Sequence, residues 1–294
     1  MPNSREIRAK ISNVKGTQKI TRAMEMVAAS KMRKARQKME NARPYAEYIR
    51  RILLHATKAH MEYTHPYTQT RSIKKVGMIV VSTDRGLCGG LNINLFKQVL
   101  KAIEQYQRDN VQVELCVIGQ KAQTFFNRID SINIISAADF SGDEATTKSQ
   151  ILGGLKVMTD QFDQKAIDAL FLFGNTFINT IKQKPFQQQL LPVTQASLAV
   201  EETSPNKPYY WDYIYEPEAK VVLNKLFARY LESQVYHSVV ENLACEQAAR
   251  MLAMKNATDN AGEMIDSLNL QYNKARQAMI TQELSEIVSG ASAV

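Results

Sequence analysis

Three groups of side chains in this 294-residue chain could do chemistry, and the first is a glycine-containing loop. The loop Thr83–Asn92 (TDRGLCGGLN) follows an apolar run and precedes a helical pattern. Loops in that position can bind phosphate through N–H groups at the start of the helix. The glycine spacing does not match Gly-x-Gly-x-x-Gly, and the loop does not end in Gly-Lys-Ser/Thr. The loop therefore predicts a tight turn between strand and helix, with a nucleotide site as the alternative.

Cys88 and the four histidines are the other candidates. A thiol at the start of a helix can have a lowered pKa and be reactive, but a single cysteine is more often a small buried apolar residue. His55, His60 and His65 are spaced five apart and share no helical face, and His237 is remote. No carboxylate pair accompanies them, so the pattern argues against a metal site. The three cysteines lie too far apart in sequence to indicate a disulfide framework.

The elements that position these residues are two long helices around a mixed middle. Asn3 to Arg43 contains no proline and one glycine, and Glu218 to Val294 contains no proline. Because proline removes a backbone donor and glycine weakens a helix, these absences predict long helices. Pro44 is expected to kink or interrupt the first one. The predicted domains are an N-terminal shaft helix (1–62), an α/β domain (76–200) and a C-terminal shaft helix (218–294).

Narrow apolar stripes run along both terminal segments, with apolar residues three and four positions apart and many of them Ala or Met. Such seams predict that the two helices pair, antiparallel if both leave the same side of the middle domain. A helix of about 70 residues spans roughly 105 Å, whereas a compact chain of this length is about 50 Å across. We therefore expect the last helix to project.

The middle of the chain alternates apolar runs with helical patterns. Because fully apolar strands separated by helices indicate a sheet covered on both faces, the predicted fold is a small Rossmann-like α/β domain with a mostly parallel sheet. Strands are predicted at Val76–Ser82, Val111–Gly119, Ile132–Ile135 and Ala169–Asn175, and helices at Asn92–Gln107, Lys121–Arg128 and Glu144–Phe162.

Charge is concentrated at the N-terminus. The chain has a formal net charge of +8, yet residues 1–62 contain 15 Lys/Arg and 5 Asp/Glu, so the remainder is net negative. A basic helix can be a solvated face, a nucleic-acid arm or a complement to an acidic protein. The stretch to Arg43 lacks the aromatic residues that stack on single strands, which favours an acidic protein partner. An apolar content of 45% excludes a disordered chain, and no apolar run is long enough to predict a membrane-spanning helix.

The C-terminal end becomes less polar rather than more. After Glu286 the sequence IVSGASAV contains no charged side chain. Frayed, inert ends are common. A projecting helix with an apolar tip nevertheless predicts insertion into an apolar socket on another protein.

Long stretches of this sequence resemble the gamma subunits of bacterial F-type ATP synthases, and the resemblance covers essentially the whole chain. It is carried by ITRAMEMVAASKMRKA (Ile20–Ala35), STDRGLCGGLN (Ser82–Asn92), WDYIYEP (Trp211–Pro217) and ATDNAGEMIDSLNLQYNKARQAMITQELSEIVSGA (Ala257–Ala291). The resemblance implies antiparallel terminal helices forming a shaft, with an α/β domain at its base. It also implies a central rotor that couples proton-driven rotation of the membrane ring to the catalytic sites of beta.

The resemblance further implies partners and a location. The partners would be the alpha and beta subunits of the catalytic hexamer, the epsilon subunit and the membrane c-ring, with no nucleic acid and with membrane contact only through partners. The chain would carry no catalytic residue and no cofactor. It would lie at the cytoplasmic face of the bacterial inner membrane as a peripheral subunit.

Contact residues follow from the matching motifs. Met24 resembles the shaft methionine that faces an acidic loop of beta. The polar contacts with the hexamer near the shaft tip would be made by Arg250, Arg276, Gln277, Thr281 and Glu283, and the surface for epsilon and the membrane ring by Tyr213, Tyr215 and Glu216. Two alternatives from the residues alone remain open, a nucleotide-binding α/β enzyme and a basic nucleic-acid-binding protein.

Overall fold

The computed structural model describes residues 4–58, 65–130, 132–140, 144–194, 216 and 218–291. These residues form two compact units, one from residues 1–30 with 250–294 and the other from residues 31–249. The helices are α1 Ser4–Lys58, α2 Leu91–Arg108, α3 Gln120–Phe126, α4 Glu144–Asp163 and α5 Ala219–Ala291, with a short 3₁₀ turn at Pro66–Thr68. The strands are β1 Lys75–Val81, β2 Gln112–Ile118, β3 Asn133–Ala138, β4 Ala169–Phe177 and β5 Gln183–Leu191.

The five strands form one sheet in the order β3-β2-β1-β4-β5. The pairs β1–β2, β1–β4 and β2–β3 are parallel, and β4–β5 is antiparallel. The predicted α/β fold with a mostly parallel sheet is therefore confirmed. Strand β5 was not among the predicted strands, because its polar sequence QKPFQQQLL contains Pro185. The strand tolerates this proline because β5 is an edge strand, where a missing N–H breaks no pairing with a further neighbour.

The α/β unit has a hydrophobic core on each face of the sheet. Val76, Met78 and Val80 of β1 pack with residues of α2 and α3. The alternate side chains Ile79 and Val81 pack with α4 and with segments of α1 and α5 that belong to this unit. Both faces of β1 are thus covered, which is why its sequence is continuously apolar rather than alternating.

The two long helices are each continuous. Helix α1 has 55 residues and α5 has 73. The expected interruption at Pro44 is wrong, because α1 runs through it, and the alternative of a kink there stays a prediction. Pro44 is exposed, so water can bond the carbonyl oxygen that the missing N–H leaves free. None of the helices in the described part of the chain combines the length and apolar content required to cross a membrane.

A short segment before β1 is held by His65. The backbone N–H of Tyr67 donates to His65 Nδ1 at 3.1 Å, and Nε2 lies 2.8 Å from Asn224 Oδ1. The imidazole stacks on Phe227 at 4.3 Å between ring centroids. Because Nδ1 accepts a hydrogen bond, the ring is neutral in this arrangement and Nε2 is the donor to Asn224. Burial lowers the pKa of His65 below its ordinary value.

This arrangement predicts acid destabilisation. The pKa of His65 is lower in the folded state than the 6.5 of an exposed imidazole. The contribution of neutral His65 to the stability of the fold is therefore complete above pH 6.5. It is lost as the pH falls through the folded-state pKa. At pH 8 we expect His65→Gln to lower the free energy of unfolding by about 1–3 kcal/mol.

Urea titrations between pH 8 and pH 5, followed by circular dichroism, measure this effect. The difference between wild type and His65→Gln is expected to shrink as the pH falls. His237, whose pKa is also lowered by burial, is present in both proteins and cancels from that difference. A difference that stays constant over the whole pH range would contradict the role of His65.

Candidate functional site

In the first unit, the beginning of α1 packs against the end of α5. Ile7 and Ile11 of α1 and Ile265 of α5 form a buried cluster, with Leu268 and Tyr272 packed against it. Nearer the middle of α1, Thr21 contacts Thr258. Residue numbers that rise along α1 therefore face numbers that fall along α5, and the two helices are antiparallel in this unit.

A polar layer lies within this otherwise apolar seam. The hydroxyl oxygens of Thr21 and Thr258 are 2.7 Å apart, and the Gln18 side chain donates to the Thr258 carbonyl oxygen at 3.4 Å. Polar residues at seam positions restrict the register of paired helices, because a shifted register leaves them unpaired. Sequence reasoning missed this layer, although threonines at seam positions of both helices were the available signal.

Helix α5 continues past its last partner on α1. Beyond Ala275, which packs on the Ile7–Ile265 cluster, the described side chains from Arg276 to Ser289 are all exposed. Ile280, Leu284 and Ile287 are 47%, 58% and 67% exposed and repeat at helical spacing. They form an apolar strip, here called the tip strip, that contacts no core cluster of the described residues.

The predicted contact residues fall in different places. Arg276, Gln277, Thr281 and Glu283 lie together on two exposed turns of α5, the same turns that carry the tip strip. Met24 and Arg250 are partly exposed and belong to the same unit. Glu216 is exposed in the second unit, whereas Tyr213 and Tyr215 lie outside the described residues.

In the second unit, the glycine loop is held by hydrogen bonds within the chain. Asp84 accepts from the backbone N–H groups of Gln120 at 2.9 Å and Phe140 at 2.8 Å. Asn92 donates to the Thr83 hydroxyl at 2.7 Å. Cys88 is buried beside Leu91 and α5, as expected for a small apolar residue. The Asp84 carboxylate and the Thr83 hydroxyl are therefore engaged in hydrogen bonds within this unit.

The crevice at the carboxyl ends of β1 and β4 is the place where sheets of this class usually bind nucleotides, since the strand order reverses there. In this chain α5 fills it. The buried Asn242 side chain donates to the carbonyl oxygen of Ser82 at 2.9 Å and accepts from Asn175 at 2.9 Å. Ser82 directly follows β1, and Asn175 lies two residues before the end of β4, so α5 covers the place where a nucleotide usually binds in such sheets.

A carboxylate lies in the same crevice. Glu241 Oε1 accepts from the Phe177 backbone N–H at 2.9 Å, and burial raises the pKa of Glu241. His237 Nδ1 is 3.9 Å from the other carboxylate oxygen, and burial lowers the pKa of His237. An acidic group at this place repels phosphate rather than attracting it. Within the described residues, no group of three His, Cys, Asp or Glu side chains could hold a metal ion.

Comparison with known proteins gives matches along the whole chain. A family model described as ATP synthase matches residues 3–294. The chain is 55% identical over 296 residues to the ATP synthase gamma chain of Coxiella burnetii (strain RSA 493 / Nine Mile phase I), and 54% identical over 294 residues to that of Nitrosococcus oceani. Each alignment covers 100% of both chains.

Solved structures show the same fold. A chain from the central stalk and c-ring of the Tetrahymena thermophila mitochondrial ATP synthase is 25% identical, with a TM-score of 0.56, covering 81% of this chain and 99% of that one. A chain from the OSCP/F1/c-ring part of the Euglena gracilis mitochondrial ATP synthase is 19% identical, with a TM-score of 0.67. That match covers 99% of this chain and 94% of the other.

The polar layer predicts energetic coupling between the two threonines. Thr21→Val and Thr258→Val each remove one hydroxyl, and each is expected to lower the free energy of unfolding by about 1 kcal/mol. The double variant replaces both partners by apolar groups of similar shape, so it should cost less than the sum of the two single changes. Thermal unfolding of all four proteins gives the coupling, and additive costs would contradict the contact.

The crevice predicts that Asn242 is essential for stability. Asn242→Ala leaves the Ser82 carbonyl and the Asn175 amide without their partner in a buried place, and should lower the free energy of unfolding by about 3 kcal/mol. Asn256→Ala is the matched control, because Asn256 is an exposed residue of the same helix. Urea unfolding followed by circular dichroism compares the two variants, and equal stabilities would contradict the assignment.

Proposed function

The chain belongs to the gamma chains of the ATP synthase family, and we propose that it works as the central rotor shaft of a bacterial F-type ATP synthase. The observation that carries this function is the full-length match to gamma chains at 54–55% identity. The chain couples rotation of the membrane ring to ATP synthesis and, in reverse, to hydrolysis. It is a non-catalytic subunit, since catalysis belongs to the beta subunits. The alternatives, a nucleotide-binding enzyme and a nucleic-acid-binding protein, are not favoured.

In this proposal, the hexamer of alpha and beta subunits surrounds the helix pair. Its contacts on this chain are Met24, Arg250, Arg276, Gln277, Thr281 and Glu283. Support comes from the exposure of the last four, on turns of α5 that the described residues of α1 leave uncovered. The proposed contact at Met24 is supported by its neighbours Ile20 and Val27. These two apolar residues are exposed and lie four positions before Met24 and three after it. An apolar strip with few polar groups suits a tip that must turn, because apolar contact is non-directional.

The basic part of α1 would face acidic loops of beta. Lys31, Arg33 and Lys34 are exposed, whereas Arg36 and Arg43 pair with glutamates one turn further along the same helix. Attraction between separated charges varies slowly with distance, so it tolerates sliding better than bidentate pairing does.

The remaining partner proposals concern the base of the rotor. We propose that Tyr213, Tyr215 and Glu216 contact the epsilon subunit and the c-ring, and that residues 76–200 form the foot domain beneath a shaft made from residues 1–62 and 218–294. The chain would reach the membrane only through those partners, at the cytoplasmic face of the bacterial inner membrane. Each charge that crosses the membrane supplies about 2.3 kcal/mol per 100 mV to drive this rotation.

Rotation is directly testable because the native thiols are shielded. Cys88, Cys116 and Cys245 are all buried, whereas Ile181 is 75% exposed, so Ile181→Cys introduces one reactive thiol for a bead. With the hexamer fixed to a surface, we expect the bead to turn in one direction while ATP is hydrolysed, and to stop when ATP is withheld. A bead that stays still during normal ATP turnover would contradict the rotor function.

The tip strip gives a second test. Ile280→Ser, Leu284→Ser and Ile287→Ser in one protein remove side chains that are exposed in this chain, so the stability of the free chain should be unchanged. Assembly with the hexamer, or the torque per ATP, should fall, because the apolar contact with the sleeve is lost. Ile73→Ser with Ile181→Ser is the matched control, since both residues are exposed elsewhere. Equal loss in both proteins would refute a specific role for the strip.

A further inference from the structure

A histidine and a glutamate lie side by side where α5 meets the end of β4. His237 and Glu241 are one turn apart on α5, and their side chains are only 25% and 13% exposed. The second unit contains both residues and also Phe177, the last residue of β4. A segment of α1 packs here too, because Ile49 belongs to the same core cluster as Val239 of α5. The proposed rotor contacts include neither residue of the pair, which leaves their titration without an assigned role.

Glu241 connects α5 to the end of β4. Its Oε1 atom accepts a hydrogen bond from the Phe177 backbone N–H at 2.9 Å. The Phe177 side chain packs against a small core cluster that contains Cys88 of the glycine loop and Cys245 of α5. The carboxylate therefore holds the end of this strand against the helix.

The imidazole of His237 lies in a place that suits its neutral form. Nδ1 is 3.9 Å from Glu241 Oε2, which is too long for a hydrogen bond. Nε2 is buried and has no hydrogen-bond partner among the described residues. A protonated ring has an N–H on both nitrogens, so protonation places a donor at Nε2 where no acceptor lies. A buried donor without an acceptor is costly, and a charged one costs more.

The charges that act on this ring come from α1 and from α5 itself. On α1 they are Arg43 and Glu47, which also bond to each other at 2.7 Å. The Arg43 cation disfavours a protonated His237, whereas the carboxylates of Glu47 and Glu241 favour it. Burial is the largest effect, and it lowers the pKa of His237 below its ordinary value. Cys245, one turn beyond Glu241, stays a neutral thiol because burial raises its pKa.

We propose that His237 is an acid-sensitive latch, which keeps the end of β4 on α5 only while its ring is neutral. The neutral ring stays packed, and Glu241 keeps its bond to the Phe177 N–H. A protonated ring gains water only by leaving its buried place, and the Glu241 carboxylate follows because the cation attracts it. The Phe177 N–H then loses its acceptor, and the end of β4 opens locally. This behaviour goes beyond the rotor function and does not depend on it.

The direction of the effect with pH follows from proton linkage. The pKa of His237 is lower in the closed state than the 6.5 of an exposed imidazole, so the open state binds more protons. The latch is therefore closed most firmly above pH 6.5, and it weakens as the pH falls towards the closed-state pKa. The opening equilibrium increases by up to about tenfold per pH unit in that range. Burial raises the pKa of Glu241, which shifts the equilibrium in the opposite sense, but Glu241 is present in every protein compared below.

Hydrogen exchange of the Phe177 amide in the full-length chain, followed by NMR, tests the latch. Protection factors are compared at pH 7.5 and pH 5.5 for wild type and for His237→Gln, whose side chain is polar but does not titrate. The ratio of wild-type to variant protection is expected to fall about fivefold between these two pH values. His65→Gln is the matched control, because it makes the same substitution in the segment before β1. Its ratio should change less than about twofold if the end of β4 opens locally.

Three outcomes of the exchange experiment overturn the proposal. The first is a ratio that stays constant with pH, and the second is a ratio that rises as the pH falls, which would mean that protonation tightens the pair. The third is an equal fall for His65→Gln, because the acid effect would then be general unfolding. The ring signals of His237 in wild type give a test that needs no variant. They should titrate with a midpoint below pH 6.5, and a midpoint at or above 6.5 also overturns the latch.

Discussion

The α/β unit depends on the contact of α5 with the carboxyl ends of β1 and β4. Asn242 is fully buried, and its amide bonds both to the Ser82 carbonyl and to Asn175. Buried polar groups are costly unless they are paired, so these bonds specify one position for the helix against the sheet. The same contact fills the crevice that a nucleotide would need. One buried amide thus orients the helix and makes this α/β fold a structural unit.

The helix pair of the first unit has a seam whose contacts fix the register of the two helices, and an exposed end without such directional contacts. Its seam contains buried isoleucines and a Thr21–Thr258 layer, which together select one antiparallel register. At its far end, the described side chains from Arg276 to Ser289 are exposed, and the apolar ones repeat at helical spacing. A rotor needs both properties, because torque requires a shaft whose helices do not slip while turning requires a surface without directional bonds to its sleeve.

Several features could be predicted because they depend on local pattern. The apolar strands and the long terminal helices follow from β-branched runs and from the absence of proline. Strand β5 and the continuity of α1 through Pro44 could not be predicted in this way. In both cases the proline predicts a break in regular structure. The folded chain tolerates it because Pro185 lies on an edge strand and Pro44 on an exposed face of its helix. Edge and exposure are properties of the packed molecule.

The sequence by itself determined the family, the fold class and the basic N-terminal helix. Long motifs, hydrophobic periodicity and the positions of charged residues can all be read directly from the sequence. Only the tertiary structure decided whether the glycine loop is a phosphate loop or a packed turn. Its residues suit either a phosphate loop or a packed turn, and the difference lies in Asn242, about 150 residues later in the chain, whose side chain bonds to the carbonyl of Ser82. The tertiary structure also stacks Phe96 of α2 on Phe125 of α3, because pairing β1 with β2 in parallel sets α2 beside α3. Contacts between residues far apart in sequence leave no local signature, and the folded chain alone defines them.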